Sequence, residues 1–347
     1  MIVTSRPQSQ QSTLARDGSL PTPEEWFGKR PGRNGFIAST ALIAGYLNAL
    51  AKASDRLSIR QYGEDLESEP LLAITVTARE NQLRLQELAA IQLELSCDHN
   101  RFASSRQGLG NQARGVVLIT CGIHGTELGA PQMVPRLIHH LATDNSPETR
   151  RILRELVILV VPSLNPSGME LVRRWHERTR GGPYDSTPPP GRFQRYAGHD
   201  NNRDWIAQTQ PEIATTVERL LNDWLPHVVI DLHQMHGTGP RYILPPYPDP
   251  FDPNVDPLLQ QGSSELGSEI VADLTRMGVQ GVANRVLFDA FSPSRAYAHY
   301  HGGVRLLGEA AAAAASGPID VHPGLLTPLR GFEPFEPNSN HPLPWPG

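Results

Sequence analysis

Residues 115–127 read GVVLITCGIHGTE, a short apolar run that ends in a histidine and a glutamate three positions apart. The run is rich in β-branched residues and shows no polar alternation, as expected of a strand buried on both faces. Three other segments repeat the design. Leu156–Val161 (LVILVV) runs into Pro-Ser-Leu-Asn-Pro, Val228–Leu232 (VVIDL) into His-Gln-Met-His-Gly, and Val304–Leu307 (VRLL) into Gly-Glu-Ala. Helical spacing marks Leu128–Leu141, Pro211–Trp224 and Ser264–Met277 between them. Buried strands alternating with helices predict an α/β fold of three layers, α/β/α, around a mixed, mostly parallel sheet. In open sheets of this kind ligands bind beyond the carboxyl ends of the strands, so the four polar ends should meet at one edge.

Upstream of this unit, Leu42, Tyr46, Leu47 and Leu50 fall at helical spacing within Ile37–Ala53. Leu71–Thr77 reads as a strand and Asn81–Leu95 as a helix. Residues 1–36 read as an irregular lead-in, because Pro21, Pro23 and Pro31 discourage regular structure. Residues 37–317 form the main domain. Residues 318–347 are too rich in proline for a closing helix; the chain either stops short of its natural end or finishes as an extended arm across the domain. In all, 32 of 347 residues are proline, against a usual ~5%, which predicts long, stiff loops around a compact scaffold.

Hydrophobic residues at 39%, charged residues at 19% and a formal net charge of −5 describe an ordinary globular chain. No basic stripe is present, which argues against nucleic acid or an anionic membrane as partner. No apolar run reaches the length of a membrane span, and the polar start MIVTSRPQSQQS lacks a secretory core. A cytoplasmic location is the expectation if the chain is complete at its N-terminus. Cys97 and Cys121 are too few for a disulfide framework or a four-cysteine metal site, and both read as buried free thiols.

A catalytic zinc takes three ligands from His, Glu or Asp and keeps one position open for water. His124 and Glu127 are the one His-x-x-Glu pair, and a strand-to-helix turn brings residues so spaced to the same spot. On its own the pair carries little weight in a chain with 13 histidines. His233, at the end of another buried-type strand, supplies a third ligand and changes that balance. Glu309, between apolar strand residues and an alanine run, is placed to shuttle protons.

In chain order, Gly122–Glu127, Asn165-Pro166-Ser167-Gly168, Asn202-Arg203, Asp231-Leu232-His233 and Glu309 resemble the zinc carboxypeptidase family. A bacterial branch of metallocarboxypeptidases is closer still, through Gly198–Trp205, Asp231–Met235, Arg295-Ala296-Tyr297 and His299–Arg305, with Pro23–Gly28 early in the chain. The resemblance implies one zinc ion per chain, held by His124, Glu127 and His233, with Glu309 as general base on the attacking water. It also implies that Asn202 and Arg203 grip the terminal carboxylate of the substrate, as suits a guanidinium fork, and that Asp200 hydrogen-bonds the first histidine. An arginine after the Asn-Pro-x-Gly turn should stabilise the oxyanion, and spacing leaves Arg178 and Arg180 equally eligible. The family's mobile tyrosine has no clear counterpart; Tyr297 and Tyr300 are nearest. Ser167 stands where the turn usually has aspartate.

These features predict hydrolysis of the C-terminal amide bond of a peptide. A zinc amidase acting on cell-wall peptides or N-acyl amino acids shares the ligand order and is the alternative. A silent binding protein on the same fold would have lost Glu309 or a ligand, and neither is lost. His236, His299 and His301 are expected to line the cleft or back the ligands rather than form a second metal site. His139 and His140 read as helix surface, and the sequence leaves the oligomeric state open.

Overall fold

The protein is described by a computed structural model covering residues 20–33, 35–97, 108–191, 193–248, 251–287, 293–312, 319–326, 328–329 and 331–347, without the side chains of 97 and 293–295. Its centre is one eight-stranded sheet. The strands are β1 (Leu57–Glu64), β2 (Pro70–Val76), β3 (Gly115–Cys121), β4 (Leu156–Val161), β5 (Val228–Met235), β6 (Tyr242–Ile243), β7 (Val282–Ala283) and β8 (Val304–Ala311). Their order across the sheet is β1-β2-β4-β3-β5-β8-β6-β7. The central strands β4, β3, β5 and β8 run parallel, and β6 pairs parallel with β7. The β1–β2, β2–β4 and β6–β8 pairs are antiparallel. The sheet is mixed and mostly parallel, as the sequence predicted.

Side chains alternate between two cores. Val116, Leu118, Val157, Leu159 and Val161 pack on one face with Trp205, Ile213, Leu220 and Trp224. Ile158, Val160, Ile74 and Val76 pack on the other with Tyr46, Leu47, Leu50, Val134 and Ile138 from the helices Thr40–Ala53 and Gly129–Thr143. Burying each large side chain contributes about 1.5–3 kcal/mol, which makes the doubly covered central strands the rigid part of the molecule.

Several boundaries differ from the sequence reading, each for a local reason. The lead-in contains the helix Pro23–Phe27: Thr22 accepts a bond from the Glu25 N–H while the Glu25 carboxylate bonds back. Pro23 opens this helix at the position where a missing N–H costs nothing. Residues 1–19 and Asn34 of the lead-in lie outside the described residues. The helix expected over Asn81–Leu95 is two, Arg79–Gln82 and Leu85–Cys97. The stretch Pro211–Trp224 starts as an α-helix over Pro211–Thr216 and widens to a π-helical turn over Val217–Asn222. β5 and β8 continue three and four residues past the ends read from their apolar runs, so His233 and Glu309 lie inside strands.

Among the described residues the proline-rich end forms no closing helix beyond the single turn Pro323–Leu325, and it lies along the outer edge of the sheet. Gly281 N–H donates to Leu343 O and Asn284 N–H to Asn340 O, at 2.7 and 2.9 Å. The boundary expected near 317 falls in 313–318, outside the described residues, as do Ala313–Ala315 of the alanine run. Cys121 is a buried free thiol; the Cys97 side chain lies outside the described residues.

Candidate metal centre and cleft

β3 leaves the sheet through Gly122, whose φ of 61° turns the chain sharply toward the loop His124–Glu127. That loop is pinned from below. The Asn165 side chain donates to Ile123 O at 3.1 Å and to Phe193 O at 2.9 Å, and accepts from Gly168 N–H at the start of the helix Pro166–Thr179. Gly125 and Gly168 cross backbone to backbone; a Cβ on Gly125 would lie 2.3 Å from the Gly168 carbonyl carbon. From the neighbouring strand, Gln234 Oε1 accepts the Gly129 N–H at 2.6 Å and so caps the helix that follows the loop.

This scaffold brings His124, Glu127 and His233 together, with one ligand atom of each within 4.8 Å of the others. His124 Nδ1 is 2.7 Å from Glu127 Oε1, and His233 Nδ1 is 3.1 Å from Glu127 Oε2. The far nitrogens also face carboxylates: His124 Nε2 lies 3.0 Å from Asp200 Oδ1, and His233 Nε2 lies 2.9 Å from Asp231 Oδ2. An N–H directed at each outer carboxylate leaves each Nδ1 with its lone pair turned inward on a neutral ring. With both rings neutral, two lone pairs and a carboxylate would converge there, which is the donor set of a divalent cation. Two imidazoles and one carboxylate are a known ligand set for catalytic zinc.

The same field is visible in the proton affinities. Burial disfavours charge on both rings, yet Asp200 and Glu127 carry His124 up to about 9. Asp231 and Glu127 raise His233 to about 10 against a stronger burial effect. Burial pushes the Glu127 carboxyl up, but the two imidazoles hold it below its ordinary value. Protons satisfy this negative pocket when a metal does not.

Glu309 is paired in register with His233 on the adjacent strand and is 5% exposed. Burial raises its carboxyl to about 7, offset in part by His233. A carboxyl that gains and loses a proton near neutrality beside a metal pocket suits general base and acid chemistry.

Asp200 begins the short turn Asn201–Arg203 and does two jobs: Oδ1 faces His124 and also accepts the Asn202 N–H at 2.9 Å. The Asn202-Arg203 pair is thereby tied to the first histidine through one carboxylate. Asn202 is buried and accepts from Trp205 Nε1, while Arg203 is exposed, with Nη1 on the Asn202 carbonyl. Below the turn, Asn201 donates to the fully buried Glu212, which also accepts from Tyr196 OH at 2.8 Å.

A cleft of about 660 Å³ opens beside the cluster, walled by His124, Glu127, Asp200, His236, Phe193 and Leu171 among others. Neither Arg178 nor Arg180 is in its described wall. Arg178 stacks on the exposed face of Trp175 at 4.8 Å, and Arg180 ends the helix with its guanidinium against Gly35. Tyr300 bonds Asp252 and Tyr297 packs between Trp205 and His301. The sequence reading named Arg305 only as a mark of the resemblance and gave no role to it or to Thr120; both meet Asp231 behind His233. The two-residue spacing of Asp231 and His233, which sets both on one face of a strand, was the available signal.

Comparison with known structures agrees with the fold. A metallo-carboxypeptidase from Burkholderia cenocepacia superposes with a TM-score of 0.52 at 16% identity, over 79% of this chain and 60% of that one. Carboxypeptidase A from Helicoverpa armigera gives 0.56 at 16% identity, over 84% and 68%. The chain therefore spans about 60% of the length of the first of these. No curated protein matches it in sequence. The sequence pattern of the zinc carboxypeptidase family matches residues 43–222, which take in His124, Glu127 and Asp200. With more than half of its length so matched, the chain belongs to the zinc carboxypeptidase family.

Proposed function

We propose that the protein is a zinc metallocarboxypeptidase that removes the C-terminal residue of a peptide. The observation that carries this is the inward meeting of His124 Nδ1, His233 Nδ1 and the Glu127 carboxylate, with buried Glu309 in register beside His233. Zinc, when bound there, supplies a Lewis acid that polarises the scissile carbonyl and acidifies water.

Glu309 takes the proton from the attacking water and delivers it to the departing amide nitrogen. Burial disfavours the charged form of its carboxyl, which favours its taking up that proton. Asn202 and Arg203 bind the substrate's free carboxylate, and Asp200 keeps that clamp in register with His124. This registration fixes which bond reaches the metal, since the distance from clamp to scissile carbonyl is one residue. Arg178 and Arg180 are given no step.

The test is to incubate a mixed peptide library with the zinc-loaded protein and with its Glu309→Gln variant, and to read the products by mass spectrometry. Stepwise loss of C-terminal residues with the wild type alone is the expected result. Intact peptides with both proteins would remove the carboxypeptidase reading and leave non-peptide amides as the substrate.

A further inference from the structure

Behind His233 the sheet holds a charge arrangement that hydrolysis as described leaves unused. Asp231 precedes His233 by two residues on β5, so both side chains leave the same face. Arg305 of β8 makes a short ion pair through Nη2 to Asp231 Oδ2, and Thr120 of β3 donates to Asp231 Oδ1 at 2.7 Å. Three adjacent strands thus each send one polar side chain to a single point behind the imidazole. The side chains of Asp231 and Arg305 are each 4% exposed. Arg305 Nη1 finds no hydrogen-bond partner among the described residues. Arg305, Asp231, Thr120 and Thr216 also line a void of about 20 Å³, room for one water with polar partners.

Fold stability does not account for such a pair. Desolvation of two buried charges largely cancels their attraction, and apolar residues of similar volume often serve a core as well or better. What the pair does secure is the position of one carboxylate. Held by Arg305 on one side and Thr120 on the other, Asp231 has no freedom to swing away from the His233 ring.

We propose that Asp231 and Arg305 are positioning residues for the metal: the clamped Asp231 carboxylate keeps the N–H on His233 Nε2 and turns Nδ1 toward Glu127 and the metal. The inference rests on the metal-centre reading above and extends it to residues with no contact to the metal. Without that acceptor the ring is free to place its N–H on Nδ1, which blocks the lone pair a metal needs, or to rotate. His124 is held differently, by Asp200 from a loop turn, so the two histidines are set by independent devices. Strand-borne Asp231 is the more rigid of the two.

The charge-neutral double variant D231L/R305L separates positioning from folding. Its metal-free form should unfold at a urea midpoint at or above that of the wild type. Its zinc affinity, read by competition with a chromophoric chelator, should fall 10- to 100-fold. The visible spectrum of its cobalt-loaded form should also differ from the wild type's, since the ligand geometry has changed. D231N/R305Q keeps an acceptor for the Nε2 N–H and should recover most of the affinity.

Wild-type zinc affinity and cobalt spectrum in D231L/R305L would overturn the proposal, as would a loss of metal-free stability with affinity intact. Should that variant fail to fold, Thr120→Val carries the test: it removes one of the two anchors on Asp231, and unchanged zinc affinity would overturn the proposal equally. A wild type that takes up no zinc would sink the metal-centre reading and this inference with it, a result distinguishable from loss in the variants alone.

Discussion

Glu309 is a carboxyl placed where a carboxylate is uncomfortable, and that discomfort has two consequences. In the metal-free protein its proton is held up to about pH 7, because burial penalises the charged form, against an ordinary value of 4.5. Between those two pH values the folded state binds a proton that the unfolded chain has released, so stability falls as pH rises through the window. Glu309→Gln removes the effect. Metal-free E309Q should match the wild type below about pH 4.5 and exceed it by on the order of 1–3 kcal/mol above about pH 7, as urea titrations across pH would reveal. The same variant loaded with zinc should lose about 10²–10⁴-fold in kcat, the usual range for a general acid–base group. Arg203 is a different case, exposed and free to meet a ligand. Arg203→Ala should lower kcat/KM about 10- to 100-fold on peptides with a free C-terminus, the worth of a charge-assisted hydrogen bond. On amidated peptides it should equal the wild type; an equal loss on both would mean that the residue does not read the carboxylate. His124, Glu127, His233 and Glu309 stood out in the sequence because histidine and glutamate are conspicuous at the ends of apolar runs. Arg305 did not, because one arginine in VRLL looks like a strand's solvent face until β5 brings Asp231 alongside it.

At the scale of elements, the sequence exposes what is doubly buried and hides what is short or polar. β3 and β4 are continuous apolar runs and were read to the residue. β1, LSIRQYGE, has a half-exposed face, and β6 and β7 are two residues each, too short for any periodicity to register. β5 and β8 were read to end at Leu232 and Leu307, short of His233 and Glu309. Their polar residues stay in the strand because they face each other, His233 opposite Glu309 and Asp231 beside Arg305. Periodicity carries no knowledge of a partner strand, so buried polar pairs read as strand ends. The ligand loop shows how closely elements are fitted. Gly125 is packed on the Gly168 backbone, and Gly168 in turn lies where a Cβ would meet Phe193 O at 2.1 Å. The three atoms nearest a Cβ on Gly125 are all backbone atoms of Gly168. Gly125→Ala should therefore lift the loop as a unit, cost about 1–3 kcal/mol, and reduce bound zinc because His124 and Glu127 move together. Thermal unfolding and metal content measured on one preparation would check both; full zinc occupancy in G125A would show that the loop adapts without moving its ligands.

Over the whole molecule, the open question for any sheet of this kind is its edge, since unpaired strand groups invite association with other chains. On the β7 side the C-terminal arm answers it. Its backbone accepts the Gly281 and Asn284 N–H groups that flank β7, and Trp345 covers the Arg241 guanidinium at 3.9 Å. Phe332 is the arm's anchor. It is 1% exposed, sits with Met235, Ile243, Tyr247, Val286 and Leu307, and packs tilted against the fully buried His341 with ring centroids 4.6 Å apart. Met235 is the last residue of β5 and Leu307 lies two before Glu309, so the anchor packs against the strands that carry the site. Two substitutions separate anchoring from covering. Phe332→Ala leaves a cavity in that cluster and should cost about 3–5 kcal/mol, with self-association increasing as the arm detaches from the β7 edge. Trp345→Ala removes one partly exposed cation–π contact and should cost about 0.5–1 kcal/mol with no change in association state. Urea unfolding and sedimentation of the two variants would separate these outcomes. If F332A were as stable and as monodisperse as W345A, the arm would be held by its backbone bonds to β7 alone. The strands that carry the site would then owe nothing to it.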